Sequence, residues 1–438
     1  MDGRRYDAHA LGVLGPQHKA VPAAAWGKTA AEFVDAAPRL DEMPTPLMTL
    51  DDGAVTGNVA TMAAWAAAAG VDLAPHGKTS MAPALWRQQL DAGAIGITVA
   101  TGWQLAVALE HAVPWVQMAY PLLDPAVIRR LAVTPPAARI LSWVDGVDVV
   151  EAMSAALTGL EAARPLDVLV ELGGAGGRTG ARSPEAAVEV ARAVAAAPGL
   201  RLAGVSGYEG ALAHDVTAES LAVVRKYLED LAGLQARLIA EDLYGEVPGG
   251  LVVTAGGSAY FDIVADVLAP LHDPAGAAGP VVRVVVRAGA SIAHDDGFYR
   301  SVTPMDGGAE HPRSPGRLRA ALHGWARVIS RPEPGLALVD AGKRDLPFDE
   351  GLPEVQAIRR GGTGDTEPLA GAIVSAMNDQ HTFVRFAPDT ELVAVGDVLR
   401  LGISHPCTAF DKWQLIPVID DAGAAQPVVV DWVRTVFG

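Results

Sequence analysis

The chain has 438 residues, half of them hydrophobic, and a formal net charge of -17. This length suits two domains better than one, and the apolar fraction is large enough to fill two cores. The strong negative charge argues against a nucleic acid or an anionic membrane surface as a partner.

The sequence shows no pattern typical of a signal peptide, a membrane span or a disulfide. The first twenty residues contain charges and Pro16 but no apolar stretch, so we expect no signal peptide. The longest apolar tract, residues 59–71, is Ala-rich and too short to span a bilayer. Cys407 is the only cysteine, so no intrachain disulfide can form and a cytoplasmic protein is expected.

From Pro44 onward, strand-like apolar runs alternate with helical runs rich in Ala, Leu and Val. We expect strands at 47–50, 71–74, 95–100, 115–119, 139–144, 167–172, 201–206 and 251–254. The helices are expected at 54–69, 82–92, 102–112, 125–132, 147–159, 184–197, 217–240 and 258–268. Eight strand–helix pairs in about 225 residues predict a (β/α)8 TIM barrel, since doubly wound sheets rarely reach eight pairs.

The sequence pattern changes after residues 273–276, Asp-Pro-Ala-Gly. Short strands separated by Gly, Pro and Asp turns are expected at 281–286, 320–328, 335–339, 392–395, 398–401, 413–418 and 427–430. This pattern predicts an all-β second domain. We therefore divide the chain into an extended N-terminal arm (1–40), a barrel (41–278) and a β domain (279–438).

Lys78 is the first candidate for chemistry, because it directly follows a strand end in the segment Pro75-His76-Gly77-Lys78. In a barrel of parallel strands, catalytic residues lie at the carboxyl ends of the strands. An imine-forming lysine needs a lowered pKa, which burial and polar neighbours such as His76 can supply. An ordinary surface lysine is the alternative interpretation.

Three strand ends carry residues that suit an anionic, flat ligand. Gly256 and Gly257 let the backbone approach a ligand, and a helix start at Ser258 offers free N–H groups to a phosphate. Arg178 follows the sixth strand, where it could face a phosphate, a carboxylate or a pyridine nitrogen. Tyr208 follows the seventh strand, where it could stack on a flat cofactor. Each position is also compatible with a turn that binds nothing.

His405 and Cys407 lie between β segments, and residues i and i+2 of an extended segment point the same way. One imidazole and one thiolate favour zinc over magnesium, with water or substrate completing the coordination. His381, in the polar segment Asn378-Asp379-Gln380-His381, is a candidate proton shuttle.

Together these motifs resemble the D-threonine aldolase and D-serine dehydratase family, whose members are fold-type III enzymes built like alanine racemase. The resemblance covers roughly residues 40 to 437. The segments that carry it are Pro75–Thr79, Arg178–Gly180, Ser206–Gly210, Ala255–Ser258, Val339–Gly342, Asn378–His381 and Ser404–Cys407. The chain departs from the family where Asp379-Gln380-His381 stands in place of a Glu-His motif.

The resemblance implies pyridoxal 5'-phosphate bound as an imine to Lys78, with Gly256, Gly257 and Ser258 at the phosphate. It places His76, Arg178 and Tyr208 near the cofactor, and His405 and Cys407 at a divalent metal. It also implies that the arm packs on the β domain and that a head-to-tail homodimer has its active site at the interface. His-x-Cys resembles the zinc-using dehydratases; aldolase members tend to have Asp as the second ligand and to use manganese or magnesium.

The expected reaction is β-elimination from a D-3-hydroxy amino acid such as D-serine or D-threonine, which gives a 2-oxo acid and ammonia. Retro-aldol cleavage to glycine and an aldehyde is the first alternative, with His381 or His294 as the base. A non-catalytic pyridoxal-phosphate protein is a second alternative, although such proteins lack the β domain. A metal-dependent barrel hydrolase is a third, although its acidic and histidine ligands are scarce at these strand ends.

Overall fold

The structure is a computed structural model that describes residues 5–133, 137–161, 164–305 and 312–437. Its N-terminal arm contains one short helix, α1 (Ala30–Asp35), which begins at a capping box formed by Thr29 and Glu32. The arm buries Leu14 and Phe33 in a cluster that includes Trp432 of the last strand. Its Asp7 amide donates to the Trp432 carbonyl at 3.0 Å, so the arm packs on the β domain.

Eight parallel strands form the barrel sheet, in the order β2-β9-β8-β7-β6-β5-β4-β3. The two ends of this sheet meet where Ile95 N donates to Leu73 O at 2.8 Å and Thr98 N donates to Pro75 O at 2.9 Å. The strands are β2 (Asp72–Leu73), β3 (Ile97–Val99), β4 (Trp115–Met118), β5 (Arg139–Val144), β6 (Leu166–Leu172), β7 (Leu200–Gly207), β8 (Leu251–Ala255) and β9 (Val282–Val286).

Eight helices cover the outside of the barrel, as the alternating pattern predicts. Side-chain caps mark several helix starts, for example Ser183 on Ala186 N and Thr217 on Ser220 N. The helices are α2 (Asp52–Ala69), α3 (Pro83–Asp91), α4 (Gly102–Glu110), α5 (Pro125–Val133), α6 (Val147–Leu157), α7 (Pro184–Ala196), α8 (Ala218–Ala240) and α9 (Phe261–Leu268). In the described part of the chain, no helix has the length and apolarity needed to cross a membrane.

The second domain is a ten-stranded sheet, preceded by the short helix α10 (Phe298–Val302). Its main path runs β13-β12-β16-β10-β1-β17-β18, and β11, β15 and β14 extend it from β10. Its strands are β1 (Leu47–Asp51), β10 (Leu322–Glu333), β11 (Leu336–Val339), β12 (Glu354–Arg359), β13 (Thr366–Pro368), β14 (Ala372–Met377), β15 (Thr382–Phe386), β16 (Val398–Gly402), β17 (Leu415–Ile419) and β18 (Val429–Arg434).

The predicted fold class, a (β/α)8 barrel followed by a β domain, is confirmed, but two strands belong to the other sheet. Strand β1, expected as the first barrel strand, lies between β10 and β17 in the β domain. Strand β9, expected in the β domain, is the eighth barrel strand and pairs with β2 and β8. Residues 392–395, expected as a strand, form none. Both exchanged strands are apolar and almost wholly buried, so their sequences alone do not show which sheet they join.

Candidate active site

Lys78 lies on a short 3-10 turn, Gly77–Thr79, which follows strand β2 at the carboxyl end of the barrel. The turn is fixed from outside by Trp86, whose indole N–H donates to the Gly77 carbonyl at 3.2 Å. Burial lowers the pKa of the Lys78 amine, and the guanidinium groups of Arg178 and Arg287 lower it further, against the opposing effect of the Cys407 sulfur. This is the environment that an imine-forming lysine needs.

His76 lies beside the same turn, and its main-chain amide donates to the Arg287 carbonyl at 3.1 Å. Burial lowers the pKa of its ring well below the usual value, and the charges of Lys78, Arg287 and Arg178 lower it further. This environment favours the neutral form of the ring. Its Nδ1 atom is buried without a hydrogen-bond partner among the described residues, so a polar group of a ligand would satisfy it.

The Gly256-Gly257 turn differs from the expected phosphate cradle. Both amides donate to the buried carboxylate of Glu209, Gly256 at 3.0 Å and Gly257 at 2.6 Å. The helix begins at Phe261 rather than at Ser258. The Ser258 hydroxyl oxygen accepts from Ala290 N at 3.2 Å, which leaves its own hydrogen available to a ligand. Glu209 thus fixes the shape of the turn, a role that the sequence did not reveal.

Arg178 and Tyr208 come together across the loops after β6 and β7. The Arg178 guanidinium carbon lies 4.4 Å from the centroid of the Tyr208 ring, a cation–π contact. The ring also adjoins the glycine turn, because a Cβ atom on Gly257 would lie 3.0 Å from Tyr208 Cε2. Three strand ends that were predicted separately therefore form one continuous surface near Lys78.

Arg287, at the end of β9, is a functional candidate that sequence reasoning missed. Its side chain is buried, and it donates to Thr254 Oγ1 at 2.7 Å and to the Gly207 carbonyl at 2.6 Å. Its guanidinium carbon also lies 4.9 Å from the Trp143 ring centroid. Its hydrogen-bond partners are neutral, and the carboxylates of Glu209 and Glu171 act on its charge from farther away. A buried guanidinium with such partners can bind an anionic or hydrogen-bond-accepting ligand beside it. The segment Arg287-Ala-Gly after a β-branched run was the available signal.

Cys407 lies on a 3-10 turn, Pro406–Thr408, and His405 directly precedes this turn with an extended backbone, so the pair does not share the single extended segment that we expected. The two side chains are nevertheless close enough for the Cys407 sulfur to affect the pKa of His405. Burial lowers the pKa of His405, but the Cys407 sulfur and the Asp349 carboxylate outweigh it and raise the pKa to about 9. His405 Nδ1 lies 2.7 Å from Asp349 Oδ2, and the Thr408 hydroxyl donates to Asp349 Oδ1 at 2.6 Å.

The two halves of the site meet within a single chain. Cys407 Sγ lies 3.3 Å from the hydroxyl oxygen of Thr79, the residue that follows Lys78. The described residues contain no group of three or more His, Cys, Asp or Glu side chains arranged to hold a metal. A metal at this position would therefore take His405 and Cys407 from the protein and its remaining ligands from water or substrate.

The two other histidines lie in different surroundings. His381 is exposed at the tip of the β14–β15 hairpin, where its carbonyl accepts from Asn378 N at 2.8 Å. His294 is buried, with a left-handed backbone (φ 47°), in the segment that precedes α10. The described contacts do not join His381 to Lys78 or Cys407, so its catalytic role stays a prediction.

Comparison with known proteins gives matches over most of the chain. Residues 321–419 match the model of a putative serine dehydratase domain. A D-threonine aldolase from Arthrobacter sp is 28% identical over 384 residues, which are 87% of this chain and 90% of that protein. A 3-hydroxy-D-aspartate aldolase from Paracoccus denitrificans (strain Pd 1222) is 28% identical over 383 residues, covering 85% of this chain and 88% of that protein.

Two solved structures share the fold. A D-threonine aldolase from Filomicrobium marinum superposes with a TM-score of 0.72 at 23% identity, covering 91% of this chain and 96% of its own. A D-threo-3-hydroxyaspartate dehydratase from Delftia sp. HT23 superposes with a TM-score of 0.66 at 21% identity, covering 91% and 99%. The architecture of both domains is thus shared with these structures.

Proposed function

We propose that this chain, which belongs to the D-threonine aldolase and D-serine dehydratase family, is a pyridoxal-phosphate- and metal-dependent lyase of D-3-hydroxy amino acids. The narrower proposal is β-elimination from D-serine or D-threonine, which gives a 2-oxo acid and ammonia. The observation that carries it is the 3.3 Å contact between Cys407 and Thr79, which puts the His405–Cys407 pair beside Lys78.

The residues around Lys78 fit pyridoxal phosphate. The amine has a lowered pKa. Two buried polar atoms at the carboxyl ends of barrel strands, His76 Nδ1 and Ser206 Oγ, have no hydrogen-bond partner among the described residues. A phosphate at the amides of Gly256 and Gly257 would lie against the Glu209 carboxylate. The Ser258 hydroxyl is therefore the group of this turn that is best placed to donate to a phosphate.

The donor set at His405 and Cys407 fits zinc better than magnesium, because it combines an imidazole and a sulfur. Asp349 binds Nδ1 of His405, so Nε2 is the nitrogen that remains for a metal. A carboxylate that orients a ligating histidine in this way is a common partner in metal sites. Manganese or magnesium is the alternative, as in aldolase members of the family.

The cofactor would supply an electron sink for the charge left on the α-carbon. The Lys78 amine can take the α-proton, because burial and two arginines favour its neutral form. Arg287 and Arg178 offer positive charge on the barrel side, where the substrate carboxylate or the pyridine nitrogen can be bound. His405 and Cys407 would hold the metal that polarises the β-hydroxyl group as a Lewis acid.

Retro-aldol cleavage is the second candidate, because both sequence relatives described above are aldolases. It would use the same lysine and metal, but it needs a base that takes the proton from the β-hydroxyl group. His381 and His294 are the candidates for that base. Cys407, in place of the aspartate usual in aldolases, favours elimination.

The deciding experiment is a product assay on purified protein loaded with cofactor and zinc. D-Threonine should give 2-oxobutyrate and ammonia, and chelation should abolish the product while the visible absorbance of the cofactor remains. Acetaldehyde and glycine would establish retro-aldol cleavage instead. Unchanged activity after complete metal removal would contradict the role of His405 and Cys407, and no visible absorbance in a loaded preparation would contradict the role of Lys78.

We also propose that the protein is a homodimer located in the cytoplasm. Sedimentation equilibrium on the purified protein tests the oligomeric state, with a dimer as the expected result.

A further inference from the structure

The two sides of the site differ in charge. Arg178 and Arg287 come from barrel loops, and both lower the pKa of Lys78. The side formed by the β domain and the segment before it carries carboxylates and aromatic rings around His405. Asp349 bonds directly to His405, and Glu350 follows it in the chain.

Phe298 and Tyr299 form an aromatic wall beside the proposed metal pair. The Tyr299 ring centroid lies 5.7 Å from that of His405, and the Phe298 centroid lies 6.3 Å from it. The two aromatic rings lie 5.1 Å apart in an edge-on arrangement. Burial raises the pKa of the Tyr299 hydroxyl, and the Cys407 sulfur, Tyr208 and the carboxylates of Asp295 and Glu350 raise it further.

The aromatic wall is held by backbone contacts to the segment that leads to His405. Phe298 N donates to the Ser404 carbonyl at 3.0 Å, and Asp296 N donates to the Ile403 carbonyl at 3.0 Å. A Cβ atom on Gly297 would lie 2.7 Å from Ser404 Cα, so the two backbones touch. The Asp295 carboxylate accepts from Gly297 N at 3.0 Å and from Arg300 N at 3.2 Å, which fixes the start of α10.

From this wall we infer that the preferred substrate carries a neutral β-substituent, methyl or aryl, and that a β-carboxylate is disfavoured. The inference rests on the proposed function, in which the β-oxygen faces His405 and Cys407. The β-substituent then lies beside the Phe298 and Tyr299 rings. A carboxylate there would meet Asp349, Glu350 and the negative faces of the rings, whereas an apolar group packs on them.

The consequence is a difference from relatives that act on 3-hydroxy-D-aspartate. A β-carboxylate is best recognised by a guanidinium or ammonium group. The groups with the largest effects on the pKa of the Tyr299 hydroxyl are instead a sulfur, a phenol and two carboxylates, and none of them is a cation. D-Threonine and D-3-phenylserine are therefore the substrates that this side of the site fits.

A binding experiment tests the inference without turnover. D-2-Aminobutyrate and D-aspartate both lack the β-hydroxyl group and differ in a methyl against a carboxylate. Titrated into the cofactor- and zinc-loaded protein and followed by the visible absorbance of the cofactor, D-2-aminobutyrate should bind about tenfold more tightly or better. Equal or tighter binding of D-aspartate overturns the inference.

A product assay separates failure of the inference from failure of the proposed function. The ratio of kcat/KM for D-threonine to that for threo-3-hydroxy-D-aspartate should exceed about ten. If neither compound reacts, the proposed function fails. If both react and the ratio is one or less, the proposed function stands and the inference is wrong.

Variants of Tyr299 locate the cause of the preference. Tyr299→Arg places a cation in the wall and should move the ratio toward the carboxylate substrate by about tenfold. Tyr299→Phe keeps the ring and should change the ratio by less than about threefold. An unchanged ratio in a folded Tyr299→Arg protein contradicts the assignment of the wall, and the wild-type comparison decides the inference even if that variant does not fold.

Discussion

Removing the Asp349 carboxylate should weaken zinc binding, although Asp349 itself is not one of the proposed metal ligands. The carboxylate lies 2.7 Å from His405 Nδ1 and accepts from the Thr408 hydroxyl at 2.6 Å. It thereby holds the imidazole in the tautomer whose Nε2 lone pair is free for a metal. In Asp349→Ala the His405 ring can rotate or take the other tautomer. Zinc binding must then also order the ring, which makes the net binding free energy less favourable.

The size of the effect follows from the exposure of the pair. Loss of such a partner typically costs 10- to 100-fold in metal affinity, which is about 1.4 to 2.7 kcal/mol. The His405 side chain is 13% exposed and that of Asp349 is 37% exposed. Water can therefore replace part of the lost hydrogen bond, which places the expected loss at the lower end, about tenfold.

The assay is competition for zinc against a chromophoric chelator, with no substrate present. Thr408→Val is the matched control, because it removes the second hydrogen bond of Asp349 but leaves the carboxylate on His405; its loss should stay below about threefold. Asp349→Asn retains an acceptor for Nδ1 and should fall between the two. Equal zinc affinity in the wild-type and Asp349→Ala proteins would refute the reasoning, whereas a wild-type protein that binds no zinc would refute the metal itself.

Three further predictions concern stability and pH. Glu209→Ala should lower the free energy of unfolding, measured in urea, by about 2 to 4 kcal/mol, because two amides lose their acceptor. Glu209→Gln should lower it by less. Equal stability of the wild-type protein and both variants would show that water replaces the carboxylate. Burial raises the pKa of Glu171 from its ordinary 4.5 to about 7, against the effect of a hydrogen bond from Thr179, so this group stabilises the fold below pH 4.5 and loses that contribution as the pH rises to 7. The apo protein should lose about 3 kcal/mol over that interval relative to Glu171→Gln, and parallel pH profiles of the two would contradict the shift. Gly77→Ala should cost about 1 to 3 kcal/mol, because the new Cβ would lie 2.6 Å from Ile97 Cγ2, whereas Gly57→Ala, in open space on α2, should stabilise by about 0.5 to 1 kcal/mol; thermal unfolding that ranks them the other way would contradict the packing.

The helices of the barrel were predictable because the hydrophobic periodicity that marks each of them extends over many residues. Helices α2 to α9 lie within a few residues of the expected ranges, and each buries one apolar face against the strands. The exchange of β1 and β9 was not predictable from the same information. Both are five-residue, mainly apolar strands, and each pairs with a strand more than 200 residues away in sequence, β1 with β10 and β9 with β2.

The candidate site residues could be predicted one by one from motifs, but the contacts between them could not. Lys78, Arg178, Tyr208, His405 and Cys407 were found because each follows a strand or lies in a motif. The structure brings Arg178 onto Tyr208 and Cys407 onto Thr79.

The residues that sequence reasoning missed lie far in sequence from the site residues that they contact. Asp349 lies 56 residues before His405, and Glu209 lies 47 residues before Gly256. Arg287 is a single arginine at a strand end, and its burial depends on the closed barrel around it. Such roles follow from packing, which a pattern of residue types does not contain.

The pairing of Leu50 with Leu322 at one register position makes the whole barrel an insertion into the β domain. The chain leaves the β sheet after β1 and returns to the adjacent strand, β10, so entry and exit lie side by side. No single cut can therefore separate the two domains, and a fragment that begins after the barrel would lack a central strand of its sheet. Because β1 ends and β10 begins at the same end of the β sheet, the chain enters and leaves the barrel at one place, and the contact between Thr79 and Cys407 brings the two domains together beside Lys78.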